Sequence, residues 1–578
     1  MIIRSSRWCF RDRFKAYLCT LGLLLTSLPV VAQSDFELLM SQAAQFSSQG
    51  QVSLSIDSLR QAQALAGEGT HSTRVAAALG RALLRGQQYA EAANHLETAY
   101  QASSGSHRAT LAIDLGSVAQ YQRQSARAER YYREAITAAV DDPELLSVAE
   151  LSLARMLPKP QAIALLHRVD RRLGGSSTNA HLSVNIGNQA AAQGAIALAY
   201  RSLDAAVNGS AKGSRTQTEA LSGLAQLYED KGRSADATRL NQRALGQLDA
   251  GASGLEELQL ELEWRAARLA RMQGDESLAL AAYQRAAEHL ERIRQDMPIE
   301  YLDGSSSYST TIVPLYQGLL ELLFRQASTL SQDPDLRERY LTRARDVIEL
   351  THQAEMQDFL GDRCVVTAQP ESGAGQAAPA QGHAYLYTAE LANSTVLMLV
   401  TPNNILHREI DVPGLRAMAE DFAEQLRYGH ADYRENAEAL YDLLLRPMES
   451  TLQDDDIGTL VIIPDGALRM VSFGALHDGR EFAIQKRAIS TTTGISMTRL
   501  GAPKGEIRAL VAGLSEPGSV VDKLIKRTTA DMGVSELADV TSRGLAYELT
   551  TLRSGRGLSV VSSSAAASAP TTIPTAPV

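Results

Sequence analysis

Cys364 is the one cysteine beyond residue 32, since Cys9 and Cys19 lie at the amino terminus. A thiol becomes a nucleophile when a nearby cation or base holds it as the thiolate. His352 and Arg363 stand close to Cys364 in sequence, but its surroundings read as the end of an acidic-aromatic helix followed by a linker. A packed helix-end thiol is the expectation. His477-Asp478 offers an acid and a base side by side, yet adjacent residues rarely aim at one point, and Asp478-Gly479 is a turn. Asp454-Asp455-Asp456 could hold a cation, but three consecutive carboxylates before a strand are ordinarily solvated, and the spacing of a calcium loop is missing. Gly373-Ala374-Gly375 opens a dinucleotide-like string with no strand before it and Pro379 after it, which marks a linker. The sequence contains no HExxH, P-loop or GxSxG motif. No catalytic, cofactor-binding or metal-binding residue is assigned from these patterns.

The elements that would position such residues follow from composition and periodicity. The 578 residues are 44% hydrophobic and 21% charged, an ordinary globular mix, and aromatics are only 5%. That balance favours helices over an all-β fold. A net charge of −10 offers no basic face for a nucleic acid. Three cysteines exclude a disulfide framework and a multi-thiolate metal site.

Residues 1–32 read as a signal peptide. Arg4, Arg7, Arg11, Arg13 and Lys15 precede an apolar stretch that ends in Val30-Val31-Ala32. Cleavage is expected before Gln33. The segment holds five positive charges and one negative, so its removal takes the net charge from −10 to −14. No later run is long and apolar enough to span a bilayer. An exported protein without a membrane anchor is expected, periplasmic if the source has two membranes.

From residue 33 to 295 the pattern is helical and repeats. Leu79-Gly80 is followed by Ala92, Leu96 and Ala99, and Leu115-Gly116 by Ala128, Tyr132 and Ala135 at the same offsets. Ile186-Gly187, Leu224-Ala225 and Ala266-Ala267 begin three more copies. Small residues let two antiparallel helices approach, and Gly86, Gly194, Gly232 and Gly274, at or next to one fixed offset, suit the left-handed cap between them. This pattern resembles the tetratricopeptide (TPR) repeat, clearly at 73–140 and 180–290 and in degenerate form at 36–70 and 145–175. The resemblance implies a solenoid with a groove for a protein or peptide. Arg81, Arg85, Arg123 and Arg127 are candidate groove contacts.

Residues 296–366 read as a helical bridge that leaves the repeat, with a Gly/Ser-rich loop at Tyr301–Thr311. Residues 367–382 form a flexible linker. Strands are then predicted at 383–391, 395–401, 405–412, 460–463, 482–490 and 509–514, with helices at 414–428 and 433–447. The stretch 460–490, with Pro464-Asp465-Gly466, Phe473 and Leu476, resembles the opening of the caspase-like CHAT domain. Segments 509–517 and 544–552 are similar to its next strand and the entry to its next helix. The fold expected is thus α + α/β: a TPR solenoid followed by an incomplete caspase-like α/β domain at 383–555. A low-complexity tail is expected at 556–578. The family carries a His–Cys dyad C-terminal to the match with 544–552. Here the last histidine is His477, and no cysteine follows Cys364. The resemblance therefore implies a scaffold with a truncated, catalytically inactive CHAT region, or a cysteine endopeptidase whose dyad is lost from this chain.

Overall fold

A computed structural model describes residues 28–48, 51–67, 69–174, 179–248, 255–295, 297–299, 301, 305–330, 332–360, 378–430, 432–498, 510–515, 536–537 and 559–564. They fall into two units, one within residues 25–498 and one within 499–578.

The first unit opens with seven antiparallel helix pairs. The first three are α1 (Leu28–Ser48) with α2 (Val52–Leu65), α3 (Thr70–Arg85) with α4 (Tyr89–Gln101), and α5 (Gly105–Tyr121) with α6 (Ser125–Ala138). The fourth and fifth are α7 (Pro143–Ala154) with α8 (Lys159–Leu173) and α9 (Ala180–Ala192) with α10 (Ile196–Gly209). The last two are α11 (Arg215–Asp230) with α12 (Ser234–Leu245) and α13 (Glu256–Met272) with α14 (Glu276–Ile293). Both degenerate segments therefore form helix pairs. Pro158 and Pro160 start α8 rather than break it, because a proline costs no hydrogen bond in a first turn.

The five template repeats share one turn. The backbone N–H groups of Gln88, Gln124, Ala195, Arg233 and Asp275 each donate to the carbonyl five residues earlier, closing the first helix of each pair. The left-handed residue before each of them is Gln87, Arg123, Gly194, Gly232 or Gly274. At the crossings, a Cβ on Gly80 would come within 2.6 Å of Leu96 Cγ, and Gly116 and Gly187 likewise abut Tyr132 and Leu203. Leu96 thus fills the space opposite Gly80, while Ala92 is fully buried beside it. Asn241 replaces the apolar residue in one repeat. It accepts a hydrogen bond from the fully buried Arg265 and donates to the Leu262 carbonyl at 2.8 Å. Arg265 is further satisfied by Ser222, Gln226 and Glu261, which is what keeps its charge tolerable inside.

The bridge continues this stack into the next domain. The segment expected as a loop closes into a π-helical turn at Tyr308–Ile312. Ser306 Oγ accepts from the Tyr308 amide and donates to Asp358, and Ile312 is buried, so the hydroxyls and one apolar anchor order the turn. Helices α15 (Val313–Thr329) and α16 (Pro334–Leu360) follow. Five strands come next in the order β3-β2-β1-β4-β5: β1 (His383–Glu390), β2 (Thr395–Val400), β3 (Ile405–Ile410), β4 (Thr459–Ile463) and β5 (Ala488–Thr491). The β1–β2 and β2–β3 pairs are antiparallel; β1–β4 and β4–β5 are parallel.

The alternation of β1 decides its layers. Tyr385, Tyr387 and Ala389 share a core with Leu315, Leu319, Val347 and Ile348 of α15 and α16. Ala384 and Leu386 face the other core, with Phe422 of α17 (Leu415–Tyr428), Leu440 of α18 (Tyr433–Leu444) and Leu452 of α19 (Glu449–Asp454). The bridge helices are therefore one covering layer of the α/β domain, and that core runs back without a break to Ala279 and Tyr283 of the last repeat. The strand predicted at 482–490 is shorter than expected: a single helical turn, α20 (Ala483–Lys486), precedes β5. Gln485 Oε1 accepts from the Phe482 amide and caps that turn.

The second unit holds a parallel three-stranded sheet in the order β6-β8-β7, from β6 (Leu510–Ser515), β7 (Glu536–Leu537) and β8 (Ser559–Ser564). β6 is the strand expected at 509–514. β8 lies inside the segment read as a low-complexity tail, where the β-branched pair Val560-Val561 supplies strand propensity to an otherwise serine-rich run.

Candidate functional site

The parallel strands β1 and β4 end side by side, and there the chain is tightly pinned. Thr388 Oγ1, fully buried, accepts from the Asp465 amide at 2.7 Å. Asp465 Oδ2 accepts from the Glu390 amide at 3.0 Å and Oδ1 from the Gly466 amide at 2.9 Å. Gly466 has φ 53°, and a Cβ there would overlap the Glu390 carboxylate. Glycine at 466 is thus required both by a left-handed backbone and by a close approach.

Helix α16 crosses above these strand ends and contributes His352 and Glu355. Arg469, on the 3-10 turn Gly466–Met470, pairs bidentately with Glu355, donates to Asp465 Oδ1 at 3.1 Å and to the Pro464 carbonyl at 3.2 Å. Tyr308 from the π-helical turn, Val313, Gln317 and Leu320 from α15, and Ile348 and Thr351 from α16 also line the cavity here, of about 310 Å³. His352 is 4% exposed, and neither ring nitrogen has a hydrogen-bond partner. Its Nε2 stands 3.7 Å from Asp465 Oδ1, an ion-pair distance beyond hydrogen-bond length. Burial raises the Asp465 carboxyl, but His352, the Glu390 amide and Arg469 outweigh it and leave it below the usual carboxylate range. Burial, reinforced by Glu355 and Asp465, pushes the Tyr308 phenol well up, so it stays a hydroxyl donor. Among the described residues, no hydroxyl or thiol is hydrogen-bonded to His352.

The histidine flagged beside Cys364 is therefore placed in this cavity, whereas Cys364, Arg363 and residues 373–377 lie outside the described residues. His477 is buried as a turn anchor: Nδ1 accepts from the Gly479 amide at 2.9 Å, and Arg434 approaches Nε2. Asp478 accepts from the Arg480 and Glu481 amides and pairs with Lys486. Asp455 is bonded by Asn403, Asp456 takes a left-handed turn at φ 49°, and no metal-like cluster occurs among the described residues.

The repeat array presents a second surface. Each odd-numbered helix from α3 to α13 also touches the next odd-numbered one, which puts these helices on the inner, shorter side of the stack. Their arginines mostly tie one repeat to the next. Arg74 pairs with Glu37, Arg81 with Asp114 at 2.6 Å, Arg268 with Glu229 and Arg271 with Glu321. Of the candidate groove contacts, Arg81 and Arg85 are spent on Asp114 and Ser47. Arg127 lies against Tyr131 and Gln124, and Arg123 is a turn residue at φ 58°. An open groove of about 690 Å³ lies along α4, α5 and α6, where Arg108 stacks 4.1 Å over the Tyr100 ring.

Sequence reasoning missed the cavity. Asp465 was visible as a turn residue, and His352 only as a neighbour of Cys364; the pairing of Glu355 with Arg469 spans 114 residues and leaves no local signal.

Comparison with known proteins finds similarities to both halves of the chain. Residues 434–569 match the CHAT domain family. The match starts in α18 and ends beyond β8. Among solved structures, a tetratricopeptide repeat protein from Parabacteroides merdae is 14% identical over 46% of this chain and 97% of its own, at a TM-score of 0.33. The C-terminal part of a TPR repeat-containing protein from Cytophaga hutchinsonii is 11% identical over 43% and 93%, at 0.28. The human IFIT1 dimer with PPP-AAAA is 15% identical over 55% and 67%, at 0.35. At those scores none of them bears on what this chain binds. No curated protein matches the chain.

Proposed function

We propose that this chain is an exported protein-interaction scaffold. Its TPR array takes a protein or peptide on the face of the odd-numbered helices, and its CHAT region has no peptidase activity of its own. The observation that carries the reading is the continuity of the stack: seven helix pairs lead through α15 and α16 onto the sheet that precedes and joins the CHAT match. Such a stack offers a long face for an extended partner. Export is supported by the basic start, the apolar stretch and Val30-Val31-Ala32. The inactive reading is supported by the position of Cys364 before the sheet and of His477 as a turn anchor.

A photo-crosslinking residue at Asn185, exposed on α9, tests the binding face against one at Asn208, exposed on the outer helix α10. A discrete partner adduct from Asn185, and not from Asn208, is expected in the cell envelope. Adducts confined to Asn208, or to positions in 383–498, would show that the array does not bind in this way.

A further inference from the structure

The cavity between α16 and the ends of β1 and β4 has chemistry that the fold does not consume. His352 Nε2 faces Asp465 Oδ1 at 3.7 Å, while Nδ1 is buried with no hydrogen-bond partner; in the neutral ring whose Nε2 carries the proton, the Nδ1 lone pair is an unused acceptor. Glu355, Glu390 and Asp465 line the same space as a single guanidinium, Arg469. That guanidinium is already engaged through Nε with the Pro464 carbonyl and through its other nitrogens with Glu355 and Asp465. An anion would find its charge answered by no uncommitted arginine or lysine in the lining. A cation would find acceptors: an imidazole nitrogen, and the second lone pairs of Asp465 and Glu390, whose Oε1 takes Arg416 from outside the cavity. Val313, Leu320 and Ile348 supply an apolar wall along which a hydrocarbon stem can lie. The volume, about 310 Å³, sits at the small end for ligand sites and suits one side-chain-sized group.

We propose that this cavity binds a basic group on a hydrocarbon stem, an alkylammonium or alkylguanidinium. It is presented either as the lysine or arginine side chain of a protein segment or as a free amine. The cation sits between His352, Asp465 and Glu390, and the stem lies on Val313 and Leu320. The site is built jointly by the helical layer and the sheet, so its occupant contacts α15, α16 and the Pro464-Asp465-Gly466 turn at once. It is separate from the inner face of the repeats and does not depend on that face binding anything.

Calorimetric titration of the full chain with agmatine, cadaverine and a blocked arginine peptide, beside glutarate and pentanol, tests this. Saturable binding is expected with at least one basic probe and with neither control. Affinity should fall about tenfold or more in His352→Leu and in Glu390→Gln, as for a lost hydrogen bond to a charged group. Preference for the blocked peptide would identify a protein segment as the source, and preference for agmatine or cadaverine a small metabolite; both support the site. Far-UV circular dichroism checks folding. Glu390→Gln keeps the test valid if His352→Leu does not fold, because Glu390 is only half-buried, its partner Arg416 is exposed, and the amide keeps the carboxylate's shape. Absence of binding by every basic probe, equal affinity in wild type and Glu390→Gln, or tighter binding of glutarate would overturn the proposal.

Discussion

Replacing Gly80 with alanine should destabilise the protein even though alanine is the better helix former. The added methyl would lie 2.6 Å from Leu96 Cγ, 2.8 Å from Cδ2 and 3.1 Å from the Leu96 backbone nitrogen. Leu96 is fully buried, and Cγ is the branch point of its side chain, so no simple rotation clears the overlap. Overpacking of a close-packed site costs about 1–3 kcal/mol, and this one belongs at the upper end. Alanine returns about 1 kcal/mol through helix propensity. The net loss should be about 2 kcal/mol. In a Leu96→Ala background the clash with Cγ and Cδ2 disappears, and the same glycine substitution should become neutral or stabilising by up to about 1 kcal/mol. The coupling between the two positions is then about 2–3 kcal/mol. Urea denaturation followed by far-UV circular dichroism measures all four proteins of the cycle. Gly80→Ala that stabilises the otherwise unaltered chain, or a cycle with coupling near zero, would show that α3 and α4 do not cross at this pair.

Three further outcomes are expected. Glu349, 6% exposed, accepts from Tyr387 Oη, the Ile495 and Ser496 amides and Ser496 Oγ; Glu349→Ala strands those buried donors and should cost about 3–5 kcal/mol by calorimetry. Asp465, its carboxyl held below the usual range, contributes stability that is present above the unfolded-state value of about 3.9 and lost as pH falls through its lower folded-state value. Asp465→Asn should therefore flatten the acid limb of the stability profile below about pH 4, and an unchanged limb would deny Asp465 that role. N-terminal sequencing of the mature protein should begin near Gln33, and an intact Met1 on a cytoplasmic product would exclude export.

Legibility in the sequence tracks the range of the interactions. The helix pairs were readable because a small residue at each crossing and a left-handed cap at each turn act within one repeat, as at Gly80, Leu96 and Gln87. The first strands were readable for a similar reason: Tyr385, Tyr387 and Ala389 alternate toward one core. The segment 482–490 misled because a capped turn at Ala483–Lys486 has no period of its own. The role of α15 and α16 as a layer on the sheet was not legible, since their apolar faces do not say which partner covers them. The cavity was hidden for the same reason: His352, Asp465 and Arg469 meet only after that layer docks.

Whether the chain acts as a scaffold without hydrolysing what it binds is decided by a cleavage assay. Purified full-length protein is incubated with a peptide library, with and without added basic probes, and Cys364→Ala is run in parallel. Mass spectrometry should find no peptide bond cleaved above the level of the Cys364→Ala control. Cleavage by the unaltered chain that disappears in Cys364→Ala would contradict the scaffold reading and make Cys364 the nucleophile of an active peptidase.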